Sequence, residues 1–235
     1  MHPLQETHQR YAGSVHPVRE AVHRREREET PAGEGSQRPG WLSEDGLPDG
    51  EVRGEGANAG RACLFVRLPF CNLSCSWCDT SFNSFDRITE EELEKVMLEN
   101  DAKLAIITGG EPMMNKQTPD IVKLLKKHGF EIACESNGTF PIVDGIDFVT
   151  ISPKRDANYE IHPDAFAKAH EFKYVVDKGF DFLTLTKHEA KDGRRYSLSP
   201  EFGNMEESVE LIMNYLMKNP NWRLNLQTHK WIGVK

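Results

Sequence analysis

Residues 62–80 read ACLFVRLPFCNLSCSWCDT. The first seven form a short apolar run closed by Pro69, a pattern that predicts a buried strand over 62–68. Three cysteines follow at once, Cys71, Cys75 and Cys78, spaced Cys-x3-Cys-x2-Cys, and then Asp79 and Thr80. Only two other cysteines occur in the chain, Cys63 and Cys134. Both lie inside predicted strands, where a thiol packs as a small apolar group. A strand that runs straight into a cysteine loop sets the sulfurs at its C-terminal end, where α/β folds carry their chemistry.

Three thiolates and no fourth is an unusual donor set. A closed zinc site needs four protein ligands, and one of the nine histidines would have to complete it. A cubane iron–sulfur cluster normally takes four thiolates. With three it keeps one iron open for a ligand that is not protein, as a catalytic metal needs and an electron-transfer cluster avoids.

Composition divides the chain near residue 60. Residues 1–60 hold nine of the eighteen glycines, the charge run HRREREET (23–30) and no Lys, Ile, Phe or Cys. Such a stretch buries too little apolar surface to offset its ordering entropy. Residues 1–50 are therefore expected to be a mostly disordered or loosely attached extension, with a short helix at 18–28, and residues 51–235 to be the folded domain. No long apolar run is present and the N-terminus has no signal-peptide pattern, so no membrane partner is expected and the setting is expected to be cytoplasmic. A net charge of −8 disfavours a general nucleic-acid binder.

Beyond residue 60 strands and helices alternate. Strands are expected at 62–68, 103–110, 130–136, 146–152, 172–177, 195–199 and 222–230. Helices are expected at 89–100, opened by a Thr89/Glu92 capping box, at 118–129, with Pro119 in its first turn and Gly129 past its end, and at 204–220. The alternation predicts parallel βαβ units.

The cysteine spacing, with the aromatic Trp77 before the third cysteine, resembles the signature of the radical S-adenosylmethionine (SAM) superfamily, and TGGEP (108–112) one unit later resembles its glycine-rich SAM turn. The segments GEGANAGRACLFVRLPFCNLSCSWCDTSFNSF (54–85), TGGEP, ESNGT (135–139), ISPK (151–154) and LQTHKWIG (226–233) occur in the order seen in the 7-carboxy-7-deazaguanine synthase family. That resemblance implies an α/β fold, a partial (β/α) barrel of the radical SAM type. It implies a lyase that converts 6-carboxy-5,6,7,8-tetrahydropterin to 7-carboxy-7-deazaguanine with release of ammonia, on the route to queuosine in tRNA. It implies a 4Fe-4S cluster on Cys71, Cys75 and Cys78, and SAM against Trp77, Cys78, Asp79, Gly110, Ser152, Pro153, Lys154, Ser199 and Pro200. Mg2+ would sit on Thr80, and the pterin on Val52, Arg53, Gly54, Glu55, Arg67 and Thr108. A homodimer and an electron donor such as flavodoxin or ferredoxin are implied as partners.

The chain also departs from the family pattern. Arg53 stands where the pattern has Gln, Ser199 stands where it has the Gln of Gln-Pro, and Pro48 and Gly50 interrupt the expected first strand. Gln227 and His229 at a strand end have a reading as structural polar groups, favoured for His229. Two other functions remain open from the residues: a glycyl-radical activating enzyme, which shares the cysteine spacing and GGEP, and a non-catalytic iron–sulfur module.

Overall fold

The computed structural model describes residues 50–78, 88–188 and 193–232. The expected extension, apart from Gly50, its helix at 18–28, and the expected site residues Asp79 and Thr80 lie outside them.

Eight strands make one open sheet in sequence order: β1 (Gly50–Val52), β2 (Ala62–Leu68), β3 (Leu104–Gly109), β4 (Glu131–Ser136), β5 (Phe148–Ile151), β6 (Glu171–Val176), β7 (Arg195–Pro200) and β8 (Trp222–Leu224). The pair β1–β2 is antiparallel, Glu51 facing Cys63. All later neighbours are parallel. The open sheet and its helices form the partial barrel expected of the sequence, and the interrupted first strand persists as three residues.

The parallel strands β2 to β7 are largely buried on both faces, and period two divides them. Leu64, Val66 and Leu68 of β2, Ala105 and Ile107 of β3, and Ile132 and Cys134 of β4 pack under helices α1 (Glu90–Glu99) and α2 (Thr118–Lys127). Val149, Ile151, Phe172, Tyr174, Tyr196 and Leu198 do the same under α3 (Pro163–Lys168) and α4 (Met205–Leu216). The other face begins apolar with Cys63, Phe65, Leu104, Ile106 and Ala133. Toward the strands' C-terminal ends it turns polar, and pairing aligns Arg67 with Thr108, Glu135 with Thr150, and Thr150 with Glu171.

Local chemistry sets the helix ends. The Thr89 hydroxyl accepts from Glu92 N at 3.2 Å and the Glu92 carboxylate from Thr89 N at 2.7 Å, the capping box read from sequence. Gly129 takes φ 75° past α2, a conformation glycine adopts without strain.

The expected strand over 222–230 is shorter, and α3 was not foreseen. β8 stops at Leu224, and α5 (Thr228–Ile232) follows. The reason is Asn225, which is buried with its amide donating to Ser199 Oγ at 2.7 Å. The chain then turns so that Thr228 N and Oγ1 donate to Gly54 O at 2.8 and 2.7 Å. α3 is opened by His162, whose ring nitrogen accepts from Asp164 N, and by Pro163.

Candidate active site

A cavity of about 680 Å³ opens at the C-terminal ends of the parallel strands. The loop after β2 supplies one wall with Cys71, Cys75, Trp77 and Cys78. Phe70 turns the chain into that loop at φ 67°, and its carbonyl accepts from Glu111 N at 2.8 Å. A Cβ on Gly110 would collide with the Phe70 carbonyl, and one on Gly109 with the Leu68 backbone. The glycines of TGGEP thus let two strand ends approach each other, a packing reason beside the expected ligand contact.

Glu111 ties the next loop to the same place. It is fully buried, and it accepts from Met113 N at 3.0 Å, Asn137 N at 2.7 Å and Ser136 Oγ at 2.8 Å. Burial pushes its carboxyl up against the pull of those donors. Asn137 leads on to Cys71, with Nδ2 3.9 Å from Sγ.

Ser152 and Lys154 also line the cavity. The Lys154 ammonium donates to Ser152 Oγ at 2.6 Å and stands 5.1 Å from the centre of the Trp77 ring. Burial, reinforced by the Lys173 charge, lowers its pKa to about 8, with Cys75 opposing. Burial likewise pushes the Cys71 and Cys75 thiols up.

The floor is a buried ionic group. Lys173 Nζ lies 2.9 Å from Glu55 Oε2 and 3.2 Å from Glu135 Oε1. Arg53 bonds Glu135 Oε1 from behind and lies 3.5 Å from Glu55 Oε1. Burial alone would raise the Glu55 carboxyl, but the Lys173 and Arg53 charges hold it well below the usual carboxylate range. The second oxygen of Glu135 has Thr108 Oγ1 at 3.3 Å.

Of the expected site residues, Cys71, Cys75, Cys78, Trp77, Gly110, Ser152, Lys154, Ser199, Pro200, Glu55 and Thr108 line this one cavity. Pro153, Val52, Arg53, Gly54 and Arg67 are not among its lining residues. Arg53 is spent on Glu135, and Gly54 backs onto His229 so closely that any Cβ would enter the ring. Arg67 lies over the Phe65 ring, 4.2 Å from its centre. Val52 is half-exposed on the edge strand. Gln227 lines the cavity, as do the unforeseen Glu135, Lys173 and Asn137. A signal for two of these existed: Glu135 and Lys173 are charges inside largely apolar strand runs.

No histidine lines the cavity among the described residues, so no imidazole there completes a zinc site. Cys71, Cys75 and Cys78 all line this cavity, and three thiols are the donor set of a cluster held by three thiolates. The radical SAM superfamily model matches residues 65–178. A 7-carboxy-7-deazaguanine synthase of Haemophilus influenzae is 34% identical over 191 residues, 78% of this chain and 90% of that one. One of Flavobacterium psychrophilum is 31% identical, over 78% and 88%.

The chain belongs to the 7-carboxy-7-deazaguanine synthase family.

The crystal structure of QueE from Escherichia coli superposes with a TM-score of 0.67 at 25% identity, covering 80% of this chain and 95% of that one. Membership makes this a radical SAM lyase, and the family implies a 4Fe-4S cluster, SAM and a reductant. The activating-enzyme and electron-transfer readings are not favoured. Among the described residues no helix is long and apolar enough to cross a membrane.

Proposed function

We propose that this cavity converts 6-carboxy-5,6,7,8-tetrahydropterin to 7-carboxy-7-deazaguanine with release of ammonia. The observation that carries this is the placing of three thiols and a paired-carboxylate floor around one space. Cys71, Cys75 and Cys78 hold the cluster, which together with SAM supplies a hydrogen-abstracting radical when bound. Lys154 pairs with the SAM carboxylate, Trp77 flanks that charge, and Gly110, Ser152, Pro153, Ser199 and Pro200 complete the SAM wall.

Glu55 and Glu135 receive the guanidine-like edge of the pterin. Each has one oxygen bonded to Lys173, and ionised carboxylates accept N–H bonds. Keeping both ionised side by side requires the cations, because two adjacent unpaired carboxylates would force one to protonate. Arg53 thus serves the pterin through Glu135 rather than by contact. Thr108 hydrogen-bonds at the same level, and Arg67 offers the forked donor that suits the substrate carboxylate. Val52 and Gly54 place Glu55 through the backbone.

Thr80 would hold Mg2+ through its hydroxyl, a hard oxygen donor of the kind that ion prefers, and Asp79 would contact SAM. The enzyme works in the cytoplasm as a homodimer reduced by flavodoxin or ferredoxin. The catalytic domain is residues 51–235 together with Gly50, which opens its first strand.

The floor is tested by binding fluorescent 6-carboxypterin to anaerobic protein. Glu135→Gln should weaken binding at least tenfold while cluster iron is kept. Unchanged binding would remove Glu135 from the pterin site.

A further inference from the structure

The ESNGT segment does more than end β4. Asn137 is buried, and its amide sits in a closed ring of hydrogen bonds with Asn72 and Thr139. Thr139 N donates to Asn137 Oδ1 at 2.9 Å, and Thr139 Oγ1 donates to the same oxygen at 2.7 Å. A backbone N–H can only donate, so that end of the amide is the oxygen. The NH2 end is thereby fixed toward the cysteine loop. One of its hydrogens goes to Asn72 Oδ1 at 2.9 Å, and the other faces Cys71 Sγ at 3.9 Å. Asn72 Nδ2 closes the ring by donating to Thr139 Oγ1 at 3.0 Å.

We propose that Asn137 is a positioning residue for the cluster: its amide N–H donates to the Cys71 sulfur when that sulfur holds iron, and so raises the cluster's reduction potential. The backbone N–H of Leu73 points at the same sulfur from 3.4 Å. Cys71 is thus met by two donors on different loops. Reduction adds negative charge that spreads onto the sulfurs, and an N–H aimed at one of them stabilises the reduced form more than the oxidised form. Outer partners of this kind orient ligands and tune the metal. The Leu73 donor is backbone and survives any side-chain change; the Asn137 donor can be removed by itself. The proposal rests on the cluster assignment and not on the pterin.

The test is the midpoint potential of the cluster, titrated anaerobically without SAM or substrate, together with iron per chain. Asn137→Ala removes the donor, and Asn137→Asp keeps the volume while presenting acceptors to the sulfur. Thr139→Val is the control. It breaks the ring but leaves Thr139 N to hold the Asn137 oxygen. Both Asn137 variants should have a lower potential, by roughly tenfold in the reduction equilibrium, which is about 59 mV for one electron. Thr139→Val should stay near wild type. Should Asn137→Ala fail to fold or hold iron, the near-isosteric Asn137→Asp decides. Potentials equal to wild type overturn the proposal, as does a Thr139→Val shift as large as the Asn137 shift, which would mean a loosened loop. Wild type that holds no iron contradicts the cluster assignment itself and the proposal with it.

Discussion

Lys173 carries two carboxylates on one ammonium, and it is itself nearly excluded from water. Removing one partner of such a group leaves uncompensated buried charge. Lys173→Met should therefore cost about 3–5 kcal/mol of stability by denaturant unfolding. The pH dependence has a definite sign. The Glu55 carboxyl lies below its ordinary value of 4.5 in the folded protein. It contributes stability that is fully present above that value and is lost as pH falls toward the folded value. Stability of the wild type should fall more steeply below about pH 5 than that of Glu55→Gln, compared as unfolding free energy against pH. Equal slopes would mean that the Glu55 pairing is not formed in solution. None of this pairing was legible in the sequence. Lys173 in FKYVVD and Glu135 in FEIACES show only that two largely apolar strands tolerate charges. That these charges meet depends on β4, β5 and β6 lying side by side in one particular register.

Elements differ in how much of their reason is local. α1 was readable because its cap is contained in four residues. Thr89→Ala, which removes the hydroxyl that accepts from Glu92 N, should cost about 1 kcal/mol, measured by thermal unfolding; no effect would mean the cap is frayed. β8 and α5 were not readable. WRLNLQTHK alternates well enough to pass for a strand, but Asn225 bonds Ser199 and Glu55, and Thr228 bonds Gly54. Those partners are distant in sequence, so period alone ran the strand too far. The cysteine loop lies between these cases. Its spacing announced the chemistry, whereas its anchoring through Phe70, Glu111 and Asn137 is tertiary.

Across the whole molecule, the parallel order of the sheet followed from alternating strands and helices, and the cavity from the rule that chemistry gathers at strand C-terminal ends. The stretch before residue 50 offers few apolar side chains to any core. Deleting residues 1–40 should shift Tm by less than about 2 °C, under 1 kcal/mol for a chain of this size. Deleting through residue 60 removes Arg53 and Glu55 and should abolish turnover; a destabilised domain after the shorter deletion would contradict the division at residue 50. The central claim is that thiols and carboxylate floor serve one reaction in one cavity. Its most direct test is anaerobic incubation of the iron-loaded protein with 6-carboxy-5,6,7,8-tetrahydropterin, SAM, Mg2+ and a reductant, with mass analysis of the product. The account predicts 7-carboxy-7-deazaguanine and one ammonia per turnover in wild type, and none after Cys75→Ala. SAM cleavage that proceeds with the pterin left intact would contradict it.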